Sequence, residues 1–182
     1  MRDLALILAL AAAALLTGCS SLISLNAFVA DTQTTTDPAL LGAWKTTEPG
    51  DPSVLWIRQK GPLYAIRYDG EDKDGKPEFA RFEGRLTRVG DAELMDIVST
   101  DEKDFAVAVH MVVRLWPSAG KLKWVYLDSD WLRAQAKQAL ATQPSDSDTL
   151  ITTPGDPVVQ FLKKFGADPR AYSGEPNEWV KK

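Results

Sequence analysis

The chain has 182 residues, 45% of them hydrophobic, and its 21 Lys and Arg stand against 25 Asp and Glu for a net charge of −4. That length suits one domain with a substantial core, and a mildly acidic surface attracts neither phosphate backbones nor anionic headgroups, so no nucleic-acid partner is expected. The single cysteine, Cys19, leaves no internal disulfide, so packing alone must hold the fold, with six tryptophans as its largest apolar contributors.

The chain opens Met1-Arg2-Asp3 and continues as an unbroken apolar run from Leu4 to Leu16. A helix of that length spans about 20 Å at about 1.5 Å per residue, short of the roughly 30 Å of a bilayer core but suited to the centre of a secretory signal. Leu16-Thr17-Gly18-Cys19 follows. This tetrad resembles the lipobox of bacterial lipoproteins: leucine, a small residue, glycine or alanine, then cysteine. Asp3 departs from a strongly basic signal start, because it cancels Arg2. The resemblance implies a diacylglyceryl group on the Cys19 sulfur, cleavage between Gly18 and Cys19, and acylation of the new amine. The lipid on Cys19 would be the only attached group, with no other cofactor, and the partner would be a membrane held through that anchor. Ser20, where an aspartate would favour inner-membrane retention in that family, implies the outer membrane, facing the periplasm. The chain looks like the small envelope lipoproteins of Gram-negative bacteria.

Residues 19–39 are read as the lipidated N-terminus and a linker. Leu22, Ile23, Leu25, Phe28 and Val29 make this segment more apolar than a plain tether, so it either lies on the membrane surface or docks on the domain. Asp31 to Pro38, rich in threonine, reads as linker. A single β-rich domain then occupies 40–182. Short runs with period-2 character follow one another, split by turn residues: Leu41–Thr46, Val54–Gln59, Leu63–Tyr68, Phe79–Arg88, Ala92–Val98, Val107–Trp116 and Lys121–Leu127. Phe79–Arg88 alternates most clearly, with Ala80, Phe82, Gly84 and Leu86 on one face and Arg81, Glu83 and Arg85 on the other. Asp128-Ser129-Asp130 caps a helix over Trp131–Ala141. Gln143–Asp148 reads as loop and Thr149–Thr153 as a short strand. Asp156-Pro157 opens a second helix, whose Val158, Phe161, Leu162 and Phe165 form one apolar stripe, and Gly166 suits a left-handed stop. Tyr172 and Trp179 are expected to pin the tail.

The expected class is mainly β with α (α+β): an antiparallel meander packed by two C-terminal helices. Gly42-Ala43-Trp44 resembles the Gly-x-Trp signature of the lipocalins and related barrels, which implies a closed barrel with Trp44 at its base. An open curved sheet covered by the helices is the alternative.

Candidate chemistry is sparse. Asp72-Lys73-Asp74-Gly75 has the look of a calcium loop, but an EF-hand needs an acid at Gly70 and a bidentate glutamate at Arg81, so a solvated hairpin turn is expected. His110, the only histidine, suggests a general base or triad member, yet no Gly-x-Ser-x-Gly accompanies it, and alternation places it with Ala108, Val112 and Arg114, away from the apolar face. A zinc site would need three carboxylates beside it. Arg81, Glu83 and Arg85 read as cross-strand ion pairs on a wet face. Asp128 and Asp130 are explained by capping. No catalytic residue and no metal site is expected; the assigned residues are Gly18 and Cys19, for cleavage and lipidation. The expected function is that of a membrane-anchored, non-enzymatic envelope lipoprotein binding a lipid or other apolar ligand, through residues such as Trp44, Trp56, Tyr64, Phe82, Met111 and Trp124. The alternative is an interaction module docking on another envelope protein; a hydrolase ranks third.

Overall fold

A computed structural model describes residues 21–72, 74–101, 107–146 and 148–182; the apolar run from Leu4 to Leu16, Gly18 and Cys19 lie outside them. Among the described residues eleven strands and two helices follow in order: β1 (Leu22–Ser24), β2 (Gly42–Thr46), β3 (Val54–Lys60), β4 (Leu63–Glu71), β5 (Pro77–Val89), β6 (Ala92–Ser99), β7 (His110–Ser118), β8 (Lys121–Tyr126), α1 (Asp130–Ala139), β9 (Thr142–Ser145), β10 (Asp148–Ile151), α2 (Asp156–Phe165) and β11 (Asn177–Lys181).

Strands β2 to β8 form the expected antiparallel meander. The expected alternation sets which side of each strand faces inward. Short hairpins keep neighbours adjacent, and Gly90 and Gly120 stand at positive φ where β5–β6 and β7–β8 turn. β11 pairs antiparallel with β8 on one side and β2 on the other. The sheet therefore closes into an eight-stranded barrel, lipocalin-like, and not an open curved sheet. The closing strand comes from the tail, which the sequence reading had left without a strand.

A second layer covers one side of the barrel. β1 runs parallel to β10 and meets β7 through Ser24 opposite His110. β9 pairs antiparallel with β10, so the segment read as loop over 143–148 is instead half of a hairpin. α1 and α2 lie over the outer face of β6 and β7. Those strands consequently serve two cores. Met95 and Ile97 face into the barrel while Leu94 faces the helices, and Val113 and Val112 divide in the same way. A strand covered on both faces carries a nearly continuous buried run, as β6 does from Leu94 to Ile97.

α1 begins where Ser129 Oγ accepts from Leu132 N at 3.1 Å. The α2 stripe behaves as expected, with Val158, Phe161 and Leu162 buried in the outer core and Phe165 packed against it; each buried side chain of this kind contributes about 2 kcal/mol. Gly166 differs from expectation. It is right-handed, with φ −66°. Its lack of a side chain matters for another reason, since a Cβ there would lie 2.6 Å from Leu94 Cδ1 and 2.7 Å from Leu162 O.

Residues 21–39 pack against the barrel and its second layer, the docked one of the two alternatives expected for this segment. Leu22, Phe28 and Val29 are buried in the outer core. The expected linker winds through two short 3-10 turns, Asp31–Gln33 and Pro38–Leu40, and crosses the closed end of the barrel, where Thr35 N donates to Leu86 O at 2.7 Å.

Candidate ligand site in the barrel

One end of the barrel is plugged. Trp44, Leu40, Tyr64 and Leu86 are all essentially fully buried there. Trp44 Nε1 donates to Leu40 O at 2.9 Å, which holds the 3-10 turn under the indole, and Lys181 Nζ lies 5.3 Å from the Trp44 ring centroid. Tyr64 Oη accepts from Asp37 N at 2.6 Å and donates to Asp37 O at 3.2 Å. Burial pushes its phenol pKa above the ordinary value. Trp44 thus occupies the position that the Gly-x-Trp resemblance implies.

Above this floor the barrel encloses a cavity of about 240 Å³. Leu55, Ile57 and Ile66 line one wall; Ile97, Val113 and Leu115 line the other. Aromatic rings stand nearer the open end: Tyr68 and Phe82 on one side, Trp124 and Tyr126 on the other, the last two packed edge to face with centroids 4.9 Å apart. Partial exposure of Tyr68, Phe82, Trp124 and Tyr126 marks the mouth. Tyr68 Oη is satisfied by Ser53 Oγ at 2.8 Å, and burial raises the Tyr126 phenol pKa. Trp179, on the closing strand, completes the lining. Among the described residues no Asp, Glu, Lys, Arg or His lines this space. Such a site favours apolar surface.

The expected lining residues fall into three groups. Phe82 and Trp124 line the cavity. Trp44 and Tyr64 form its floor, and Met111 packs against the barrel core. Trp56 does not belong to the lining: it sits on the outer face, its Nε1 donating to Asp69 Oδ2 at 3.0 Å. In β3 both faces carry large apolar residues, Leu55 and Ile57 inward and Val54 and Trp56 outward, so alternation alone could not say which set entered the barrel. Trp179, expected to pin the tail, was not assigned to the lining because a lone tryptophan in a polar tail has no periodicity to give it a face.

His110 has a definite structural setting. Its Nδ1 lies 2.9 Å from Oδ1 of Asp96, a carboxylate with no exposed surface. Asp96 Oδ2 also accepts from Phe28 N at 2.9 Å and Val29 N at 3.3 Å. Ser24 sits opposite His110 in the β1–β7 bridge, but it is fully buried and its Oγ accepts from Asn26 N at 3.0 Å. None of the described cavities is lined by Ser24, Asp96 or His110. The trio fastens the N-terminal segment to the barrel wall.

The remaining candidates are structural. Asp72 Oδ1 accepts from Asp74 N at 2.8 Å and Lys76 N at 2.9 Å in the β4–β5 turn; Lys73 lies outside the described residues. Arg81 pairs with Asp101, Lys60 with Glu83, and Arg85 with Asp31 and Glu83, all on the outer face. Asp128 and Asp130 both pair with Arg133 at the start of α1. Comparison with family models, with curated proteins and with solved structures gives no match to this chain.

Proposed function

We propose that the protein is a lipid-anchored, non-enzymatic lipoprotein of the cell envelope, placed at the outer membrane facing the periplasm, which holds an apolar ligand in its barrel. The observation that carries this reading is the uncharged cavity with a plugged floor and an aromatic mouth. At about 30 Å³ per water-sized volume, the cavity has room for about eight chain carbons, and transfer of about 0.8 kcal/mol per CH₂ makes burying them worth about 6 kcal/mol before the cost of immobilisation.

The N-terminal geometry supports the anchor. Ser21 N donates to Asp148 Oδ1 at 2.8 Å and Ser21 O accepts from Thr149 N at 2.9 Å. Ser21 stands two residues after Cys19 in the sequence. Ser21 also shares a surface depression with Met111, Tyr126 and Asn177, at the mouth end of β7, β8 and β11. Acyl chains on Cys19 would therefore bring the mouth beside the membrane, where apolar ligands are concentrated, and two or three chains suffice for stable attachment.

Two measurements test the proposal. Labelled palmitate should enter the wild type and not Cys19→Ser in a lipoprotein-competent host; equal labelling of both would refute the anchor. Titration of the folded protein with apolar ligands should quench or shift tryptophan emission saturably. A folded barrel without such a response would favour the docking module instead.

A further inference from the structure

Two buried indole donors that line the cavity have no acceptor among the described residues. Trp124 Nε1 and Trp179 Nε1 are both closed to solvent and make no hydrogen bond, and both rings line the cavity. Trp179 is 94% buried, with 6% of its surface exposed. They are diagonal neighbours on the inner face of the β8–β11 pair, where Trp124 stands opposite Asn177 and Trp179 opposite Leu122. An indole N–H only donates, and leaving one unmade in a dry site is costly. The other buried indole of the barrel, Trp44, is satisfied by Leu40 O, so the indoles left without a partner are the two that line the cavity. A trapped water is a poor substitute, because after accepting from the indoles it would leave its own two O–H donors without acceptors in the apolar wall around them.

The nature of the missing acceptor follows from charge. A carboxylate would accept well, but no Lys, Arg or His lines the cavity to balance it, and an unpaired buried charge is strongly disfavoured. The loops that frame the mouth carry Glu48, Asp51, Asp72, Asp74 and Asp101, with Lys76 among them, which further repels an anion. Resting on the ligand-binding reading above, we propose that the barrel selects an uncharged acyl ester or amide, whose carbonyl oxygen accepts from Trp124 Nε1 and Trp179 Nε1 while its chain fills the apolar walls.

The test uses the chain from Cys19 onward carrying Cys19→Ser, so that no acyl chain of its own competes; both cores lie within that span. Three probes of similar length are titrated at pH 7: methyl octanoate, octanoate and nonane. Methyl octanoate should bind at least about fivefold tighter than either of the others, the gain expected of one or more neutral hydrogen bonds. In ¹⁵N-labelled protein the two indole N–H resonances, assigned through Trp124→Phe and Trp179→Phe, should move downfield with the ester and not with nonane. Each of those variants should lose most of the ester's advantage over nonane measured on the same variant, and the near-UV circular dichroism signal checks the fold. Should either variant fail to fold, the ranking of the three probes on the unaltered indoles still decides. Nonane binding as tightly as the ester, or octanoate binding tightest, would overturn the acyl-ester assignment and leave the ligand-binding reading intact. Failure of all three to bind the folded protein would overturn both.

Discussion

Asp96 is where the N-terminal segment is most sensitive to a single change. Its fully buried carboxylate accepts from Phe28 N, Val29 N and His110 Nδ1. Asp96→Ala leaves two backbone donors and a ring nitrogen without a partner between the barrel and the second layer. At about 1–3 kcal/mol for each buried donor left unmade, with partial relief from relaxation, the expected loss is about 3–5 kcal/mol. Asp96→Asn keeps an oxygen for the two backbone N–H groups, and its amide can face the unprotonated nitrogen of the other His110 tautomer, so it should lose far less. His110→Ala removes one of the three contacts and should fall between wild type and Asp96→Ala. Urea unfolding of the three variants measures the order, and limited proteolysis within Asp31–Pro38 reports whether the N-terminal segment detaches first. If Asp96→Ala costs under about 1 kcal/mol, or if it ranks with Asp96→Asn, the carboxylate is not what holds Phe28 and Val29 in place.

Other consequences are equally direct. Phe161→Asp places a charge in the outer core, where Phe161 is buried between the helices and the barrel, and should destabilise by more than about 3 kcal/mol in the same assay. Ile97→Trp projects bulk into the cavity; it should abolish the saturable fluorescence response to methyl octanoate while the folded near-UV circular dichroism signal persists. Ser129→Ala removes the α1 cap, and with it the hydroxyl's hydrogen bond to Arg170 O, for a loss of about 1–2 kcal/mol by chemical denaturation. The Arg170 guanidinium beside Asp168 lowers that carboxyl from 3.8 to about 2. A folded-state value below the unfolded one stabilises above pH 3.8, and the contribution drains away as pH falls toward 2. Asp168→Asn should remove that part of the acid sensitivity, read as a smaller drop in unfolding midpoint between pH 4 and pH 2.

Reading the chain by local pattern succeeds where the physics is local. Alternation over Phe79–Arg88 assigned Phe82, Gly84 and Leu86 to the interior because a strand has a side-chain period of two, whatever it later pairs with. The same argument placed His110 opposite Met111 and Val113. The α2 stripe was visible because four apolar residues at helical spacing define a face before any partner is known. Pattern reading misassigned Trp56, because β3 is apolar on both sides, and, although it expected Trp179 to pin the tail, it had no means of placing that ring inside the barrel. The loop assigned to 143–148 missed β9 because Gln143 and Pro144 show no strand pattern; they are held by pairing with Leu150 and Thr149.

By itself, then, the sequence determined the hairpin succession from β2 to β8, the inward face of most of those strands and the amphipathic helix, all set by neighbours within a few residues. The tertiary structure decided the rest. Whether the sheet closes depends on Asn177–Lys181 finding both β8 and β2, and Trp179 meets Thr46 across more than a hundred residues of chain; no short-range propensity encodes that meeting. The attachment of residues 21–39 depends on Asp96, a single carboxylate whose partners become neighbours only after the barrel has formed. The cavity depends on closure in turn. Inward-facing side chains fill a barrel or leave space in it according to strand number, tilt and stagger, and the two indole N–H groups become orphans only because the closed wall excludes water from them.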